Sequence, residues 1–329
     1  MRRLIVLIVA AAALWGGYWF IAARGLETGL RNWLATPQVG WATEYADLNV
    51  RGFPNRLDTV IEKPVVTTDS GIAWRAPFFQ AMALSYKPNH VILVWPDQQT
   101  VETPFGTANI TTNDMRGSIV FSASTDLALD HSNFVIDGLR AAISESGEFT
   151  AKSALFATRL APARTNVHEI GLDASDITPP ADILAQLGLG RAAPAVIEQL
   201  KLDAALGFDR PLDRFALEGT PAQINRIELK HTRVQWGDMA LRANGDLDVD
   251  RAGNLDGSIT LGITNWKQVL TLAVNGGLIP QRQAKQIERG LALLSANRDT
   301  LELPLNLRGG VMSLGPIPLG PAPRLRQRQ

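Results

Sequence analysis

The chain contains no cysteine, which excludes disulfides, thiolate metal sites and thiol nucleophiles. Its core alone must hold it together, and 329 residues are enough to bury one. It also has no net charge, with 32 Lys+Arg against 32 Asp+Glu. Binding nucleic acid requires a basic surface to neutralise phosphates, so the balance argues against nucleic acid as a partner. Motifs with a specific mechanism are missing too: there is no P-loop, G-x-S-x-G elbow, H-E-x-x-H or G-x-G-x-x-G. "LGLGR" at 187–191 lacks the third glycine. His90, His131, His168 and His231 are dispersed, with no two at metal-ligand spacing. The expectation is therefore a non-enzymatic protein with no catalytic residue, no cofactor and no metal.

Asp246, Asp248 and Asp250 invite comparison with a calcium loop. An EF-hand needs Gly at its sixth position and a bidentate Glu at its twelfth, and here those places hold Arg251 and Gly257. Aspartates alternating with Leu247 and Val249 read as the wet face of a strand.

What the sequence does have begins with Leu4 to Ala23, 20 residues without a charge. At about 1.5 Å per residue this run spans roughly 30 Å, the hydrocarbon thickness of a bilayer. Arg2 and Arg3 precede it, and Trp15, Tyr18 and Trp19 stand near its far end, where amphipathic rings favour the interface. The positive flank stays in the cytoplasm, so the expectation is a single-pass inner-membrane anchor (1–24) with the remaining chain in the periplasm. A cleaved signal peptide is the competing reading. Ala11 and Ala13 are small, but the apolar run continues past them, and a site after Ala23 would place bulky Ile21 where a small residue is preferred.

Residues 25–40 read as a juxtamembrane helix and linker, with Leu26, Leu30, Trp33 and Leu34 on one face. From Trp41 the period changes to two. Short strands recur every 8 to 12 residues between Pro, Gly, Asn and Asp, including "RLDTVIEKPVV", "HVILVWP", "GSIVFSAS" and "GEFTAKSALFATRL". This predicts a mainly β fold with some α: an elongated, curved antiparallel meander over 41–323, divisible into two halves (41–178 and 179–323) and partly covered by helices. Helices are predicted at "PADILAQLG", "APAVIEQLKLDAAL", "NWKQVLTLAVNGG" (capped by Asn265) and "PQRQAKQIERGLALLSAN". The hairpin 244–264 turns at "RAGN" and sets Leu247, Val249, Ile259, Leu261 and Ile263 on its apolar face; these five form the candidate groove. The tail 324–329 carries Arg324, Arg326 and Arg328 and reads as solvated.

Inside the first strands lies "RGFPNRLD". Gly52 permits a tight bend, Pro54 cannot donate to a ladder, and Phe53 is expected to anchor the bend in the core. This structural corner should be less tolerant of substitution than Gly253, which lies in an ordinary turn.

The order of anchor, "GFPNRLD", "WRAPFFQAMALSYKPNHVILVWP", "TPFGTANI", "ANGDLDVDRAGNLDGSITLGI" and "GGVMSLGPIPLGPAP" resembles an uncharacterised bacterial family, DUF2125, along nearly the whole chain. It departs from the family pattern at Asn55, where a second aromatic is usual. The late hairpin also looks like the C-terminal domains of AsmA-like envelope proteins. That resemblance implies phospholipid or an envelope protein as partner, bound along an apolar sheet face. A closed scaffold that binds other proteins is the alternative. An envelope hydrolase assembled from residues on separate strands is a third reading.

Overall fold

A computed structural model describes residues 1–36, 40–144, 146–190, 193–218, 221–296, 298–315 and 317–325. Arg326 and Arg328 of the basic tail lie outside the described residues. The apolar run and the juxtamembrane segment form one continuous helix, α1 (Arg2–Ala35). Nothing breaks it, because Gly16, Gly17, Gly25 and Gly29 are tolerated in a long helix and no proline interrupts it.

The rest is an open antiparallel sheet. The first ten strands are β1 (Trp41–Glu44), β2 (Asp47–Arg51), β3 (Arg56–Glu62), β4 (Val65–Thr68), β5 (Ala73–Arg75), β6 (Phe78–Leu84), β7 (Lys87–Val94), β8 (Gln98–Thr103), β9 (Gly106–Thr111) and β10 (Asp114–Phe121). Long strands follow: β11 (Leu129–Ile143), β12 (Gly147–Leu160), β13 (Val167–Thr178), β14 (Ile197–Phe208), β15 (Ile224–Trp236), β16 (Met239–Val249), β17 (Leu255–Thr264) and β18 (Thr300–Arg308). From β11 to β18 each strand pairs with the next in sequence, and β19 (Val311–Leu314) and β20 (Ile317–Pro321) finish the ladder. The β13–β14 pairing runs from Val167↔Gly207 to Ile177↔Ile197, so the sheet continues unbroken across the division placed between 178 and 179.

The register aligns two rows, apolar but for Thr232, across eight strands. One reads Phe134–Phe156–Leu172–Leu202–Thr232–Ala243–Leu261–Leu303, and the next Ile136–Ala154–Ala174–Leu200–Val234–Leu241–Ile263–Leu301. Side chains alternate along a strand, so the residues between these rows point to the opposite face. There, Arg159 and Lys230 both donate to Glu169 at 2.6 Å, and Arg164 and Arg226 converge on Glu228 at 2.5 and 2.9 Å. Its charged pairs suit that face to contact with water. The apolar one must be covered by something else.

The segment 193–206 is a correction. A proline start and Ile/Leu/Ala content suggest a helix, but the chain forms β14, because Leu200, Leu202, Ala204 and Leu206 alternate with Lys201, Asp203 and Ala205 at period two. Ladders on both flanks reward that alternation, and they are non-local. The other helices are α2 (Ala181–Gln186), the short α3 (Arg214–Glu218), α4 (Trp266–Asn275) and α5 (Gln281–Leu294). Asn265 stands at the start of α4 in the left-handed region (φ 56°), and its side chain does not cap the helix. Its amide donates instead to Gln268 Oε1 at 2.8 Å.

Candidate functional site

The apolar face is sealed at its C-terminal end. Trp266 and Leu270 of α4 and Ile287 and Leu291 of α5 bury themselves against Leu301, Leu303 and Leu314. The indole N–H of Trp266, 2% exposed, donates to Arg298 O at 3.1 Å. Leu261 and Ile263 pack against this cluster. Leu247 and Val249 are buried with Leu255 and Leu307, and Ile259 packs against them. The five residues read from sequence as a groove thus share the predicted face but occupy its covered end, where they serve as core.

At the other end the sheet forks. The first part of β11 (Leu129–Asp137) pairs with β10, and its last residues (Arg140–Ile143) pair with β9. Gly138 sits between them at φ +61°, and an added Cβ would collide with the Asn113 side chain, so glycine is what lets one strand serve both partners. One arm runs β10–β7–β6–β3–β2, the other β9–β8–β5–β4–β1. Between the arms lies a cavity of about 670 Å³. Ile61, Phe79, Trp95 and Met115 line it from the first arm; Trp41, Val66, Trp74 and Ile110 from the second; Leu30, Trp33 and Leu34 of α1 close its end. Gln99 in this lining accepts from Trp74 Nε1 at 2.9 Å and donates to Pro96 O, so its amide is already committed, whereas Thr43 Oγ1 has no partner.

A second cavity of about 650 Å³ lies on the same face, lined by Ile119, Phe121, Phe134, Phe156, Ile170 and Phe208 beneath the segment Leu212–Ala216. The two linings meet through a series of rings. Trp74, Phe79, Trp95, Phe134 and Phe156 follow one another at centroid distances of 6.3, 5.2, 6.2 and 6.2 Å. Gly117 makes room for this series, since a Cβ there would approach Phe134 Cδ1 to 2.6 Å. At the floor are three buried polar residues, Ser132, Thr158 and His168. Burial pushes the His168 pKa down, favouring the neutral ring, and its Nδ1 has no partner. A third apolar cavity of about 400 Å³ lies where α4 meets β15 and β16, between Leu187, Trp236, Leu241 and Leu272.

The other sequence candidates resolve as follows. Phe53 is not in the core: it is 56% exposed, and its ring stacks on Phe20 (5.6 Å) and meets Trp19 edge-on (5.4 Å), both on α1. The bend itself is present, with Gly52 at φ +107° and a cis Phe53–Pro54 bond in the β2–β3 turn. The fixed point of the corner is the helix, a long-range contact that local sequence does not encode. Gly253 is no looser than Gly52, because a Cβ there would run into the Leu325 carbonyl. Asp246 and Asp248 lie on the wet face and receive Arg226. Asp250 accepts backbone N–H groups from Ala252 and Asn254, closing the "RAGN" turn. His90 meets Ser118, His131 meets Asp130, and His231 lies 3.7 Å from Asp203 on the surface. Sequence reasoning does not reach the cleft between the arms; its signal is the set of large aromatics Trp74 (β5), Phe79 (β6), Trp95 (just after β7) and Phe134 (β11).

The model of an uncharacterised protein family conserved in bacteria, DUF2125, matches residues 19–323, and the chain belongs to that family. No curated protein and no solved structure matches it. The remoter likeness to AsmA-like envelope proteins finds no counterpart among the matches.

Proposed function

We propose that this protein is a non-enzymatic, membrane-tethered lipid binder that holds acyl chains along the apolar face of its forked sheet. The observation that carries this reading is the ring-lined cleft at the end of α1, continued by a second apolar cavity on the same face. Both volumes fall within the roughly 300–1,000 Å³ of ligand sites, and apolar linings with few committed polar groups suit chains better than polar substrates. The unsatisfied Thr43 Oγ1 and His168 Nδ1 offer single hydrogen bonds to the polar end of such a ligand. Arg2 and Arg3 before the apolar run favour a cytoplasmic N-terminus, with the sheet in the periplasm of a bacterial inner membrane.

The test is photocrosslinking in intact membranes. Benzoylphenylalanine placed at Trp95 or Phe156 should yield phospholipid adducts, read as a mass shift, while the same probe at Phe105, 96% exposed, should not. Adducts at none of the three positions, with the protein folded, would reject the lipid reading in favour of a scaffold that binds other proteins.

A further inference from the structure

From Leu4 to Leu14 helix α1 is exposed on every side. From Gly16 onward one stripe of it, through Trp19, Ala23, Leu26 and Leu30, turns to the sheet and becomes half-buried or buried. The free stretch covers only ~16 Å at about 1.5 Å per residue, against a hydrocarbon core of roughly 30 Å. A helix that crosses must therefore keep Trp15 to Ala23 within the bilayer as well. Those residues are the ones that touch two turns of the sheet, the β2–β3 turn (52–55) and the β6–β7 turn (85–86).

We propose that these two turns are immersed in the leaflet on the body's side of the membrane, with Phe53 and Tyr86 among acyl chains. This rests on the reading of α1 as a membrane span. Phe53 and Tyr86, 56% and 64% exposed, present aromatic rings at the two tips, and Phe53 stacks on exposed Phe20 of α1. Backbone polar groups in hydrocarbon must be satisfied without water. Here the helix supplies the donors: Trp15 Nε1 to Pro54 O (3.0 Å), Trp19 Nε1 to Arg56 O (2.6 Å) and Tyr18 OH to Ser85 O (2.8 Å). Within the turns, Arg56 N–H donates to Gly52 O and Ser85 N–H to Asn55 O, both at 2.8 Å, and Pro54 has no N–H to satisfy. Arg51 and Lys87 are exposed at the strand ends beside the turns, and exposed Arg56 pairs with Asp58 at 3.0 Å; long basic side chains of this kind can snorkel to headgroup phosphates. The aromatic belt expected of a lone helix is instead a set of donors to an inserted hairpin pair.

Because the chain lacks cysteine, single-cysteine variants report without background. Full-length Y86C, F53C, F105C and I8C, labelled with a nitrobenzoxadiazole fluorophore, would be reconstituted in phosphatidylcholine–phosphatidylglycerol vesicles containing doxyl-labelled acyl chains. Tyr86 and Phe53 should show blue-shifted emission and several-fold stronger quenching than Phe105, which is 96% exposed in the β8–β9 turn. Ile8 calibrates the anchor. Water-like, unquenched emission at Tyr86 with Ile8 quenched would overturn the insertion and leave the anchor intact. Unquenched Ile8 would overturn both. Should the label at Phe53 disturb its stacking on Phe20, Tyr86 decides the question alone.

Discussion

The indole N–H of Trp15 donates to the carbonyl of Pro54 across 3.0 Å, tying the apolar helix to the first hairpin of the sheet. Four residues on, Trp19 and Ala23 bury Leu57, which is 5% exposed. The helix is thus part of the fold as well as long and apolar enough to cross a membrane. A chain beginning at Arg24 should expose Leu57 and unfold at lower denaturant than the full chain in detergent. Equal midpoints would show that the helix contributes nothing to the body. A reporter fused after Gln329 should read out on the non-cytoplasmic side, and soluble protein beginning near Leu14 or Arg24 would show cleavage instead.

Gly52→Val should destabilise the protein by about 2–4 kcal/mol, since a Cβ at φ +107° would meet Arg56 Cβ at 2.7 Å and its carbonyl at 2.9 Å. Gly309, also at positive φ but with open space around it, is the proper comparison. Gly309→Val should cost only the backbone strain. Denaturant titration of both variants gives the difference, and equal costs would remove the steric argument.

The two ends of the apolar face should respond oppositely to a carboxylate. Ile259→Asp places an ion in the sealed end beside Leu247, Val249 and Leu307 and should cost about 3 kcal/mol or more. Phe156→Asp stands in the open stretch, where the ring is 37% exposed, so the fold should survive and phospholipid crosslinking at Trp95 should fall. Circular dichroism and the crosslinking yield separate these outcomes. Unfolding by both substitutions would mean that the face is closed throughout.

On the wet face, the hydrogen bond from Arg164 and then that from Arg226 hold the Glu228 carboxyl down at about 2. The unfolded chain binds this proton near pH 4.5, so the group's contribution is complete above that value. It is lost as pH falls from about 4.5 to 2. Glu228→Gln should cost about 1–2 kcal/mol at pH 7 and flatten the stability profile across that acid window. A profile unchanged by the substitution would show that the arginines do not bind the carboxylate in solution.

Gly117→Ala should force Phe134 out of the ring series and cost about 1–3 kcal/mol by overpacking. Phe134→Leu in the same chain should recover part of that loss, because the colliding ring edge is gone. Additive rather than compensating effects in the double-mutant cycle would deny the contact.

The apolar N-terminal run, the meander and the alternation of faces are local properties. Charge-free length marks Leu4 to Ala23, and period two marks strands such as β12, whose predicted span of 147–160 is the observed one. These signals need no knowledge of partners. The β14 segment fails by the same standard, since Ile, Leu and Ala suit both periods and only the ladders to β13 and β15 choose between them. The groove fails for a related reason. Sequence alone puts Leu261 and Ile263 on the apolar side of their own strand; the ladder register puts them on the face of Phe134 and Ile136, and whether α4 and α5 or open space lies above a given strand depends on where the helices dock. Likewise "GFP" announces a bend through its glycine and proline, while its attachment to Trp15, Trp19 and Phe20 comes from residues more than thirty positions away. Backbone geometry is written in neighbouring residues. Which apolar surface is covered, and by what, is decided only when distant segments compete for it.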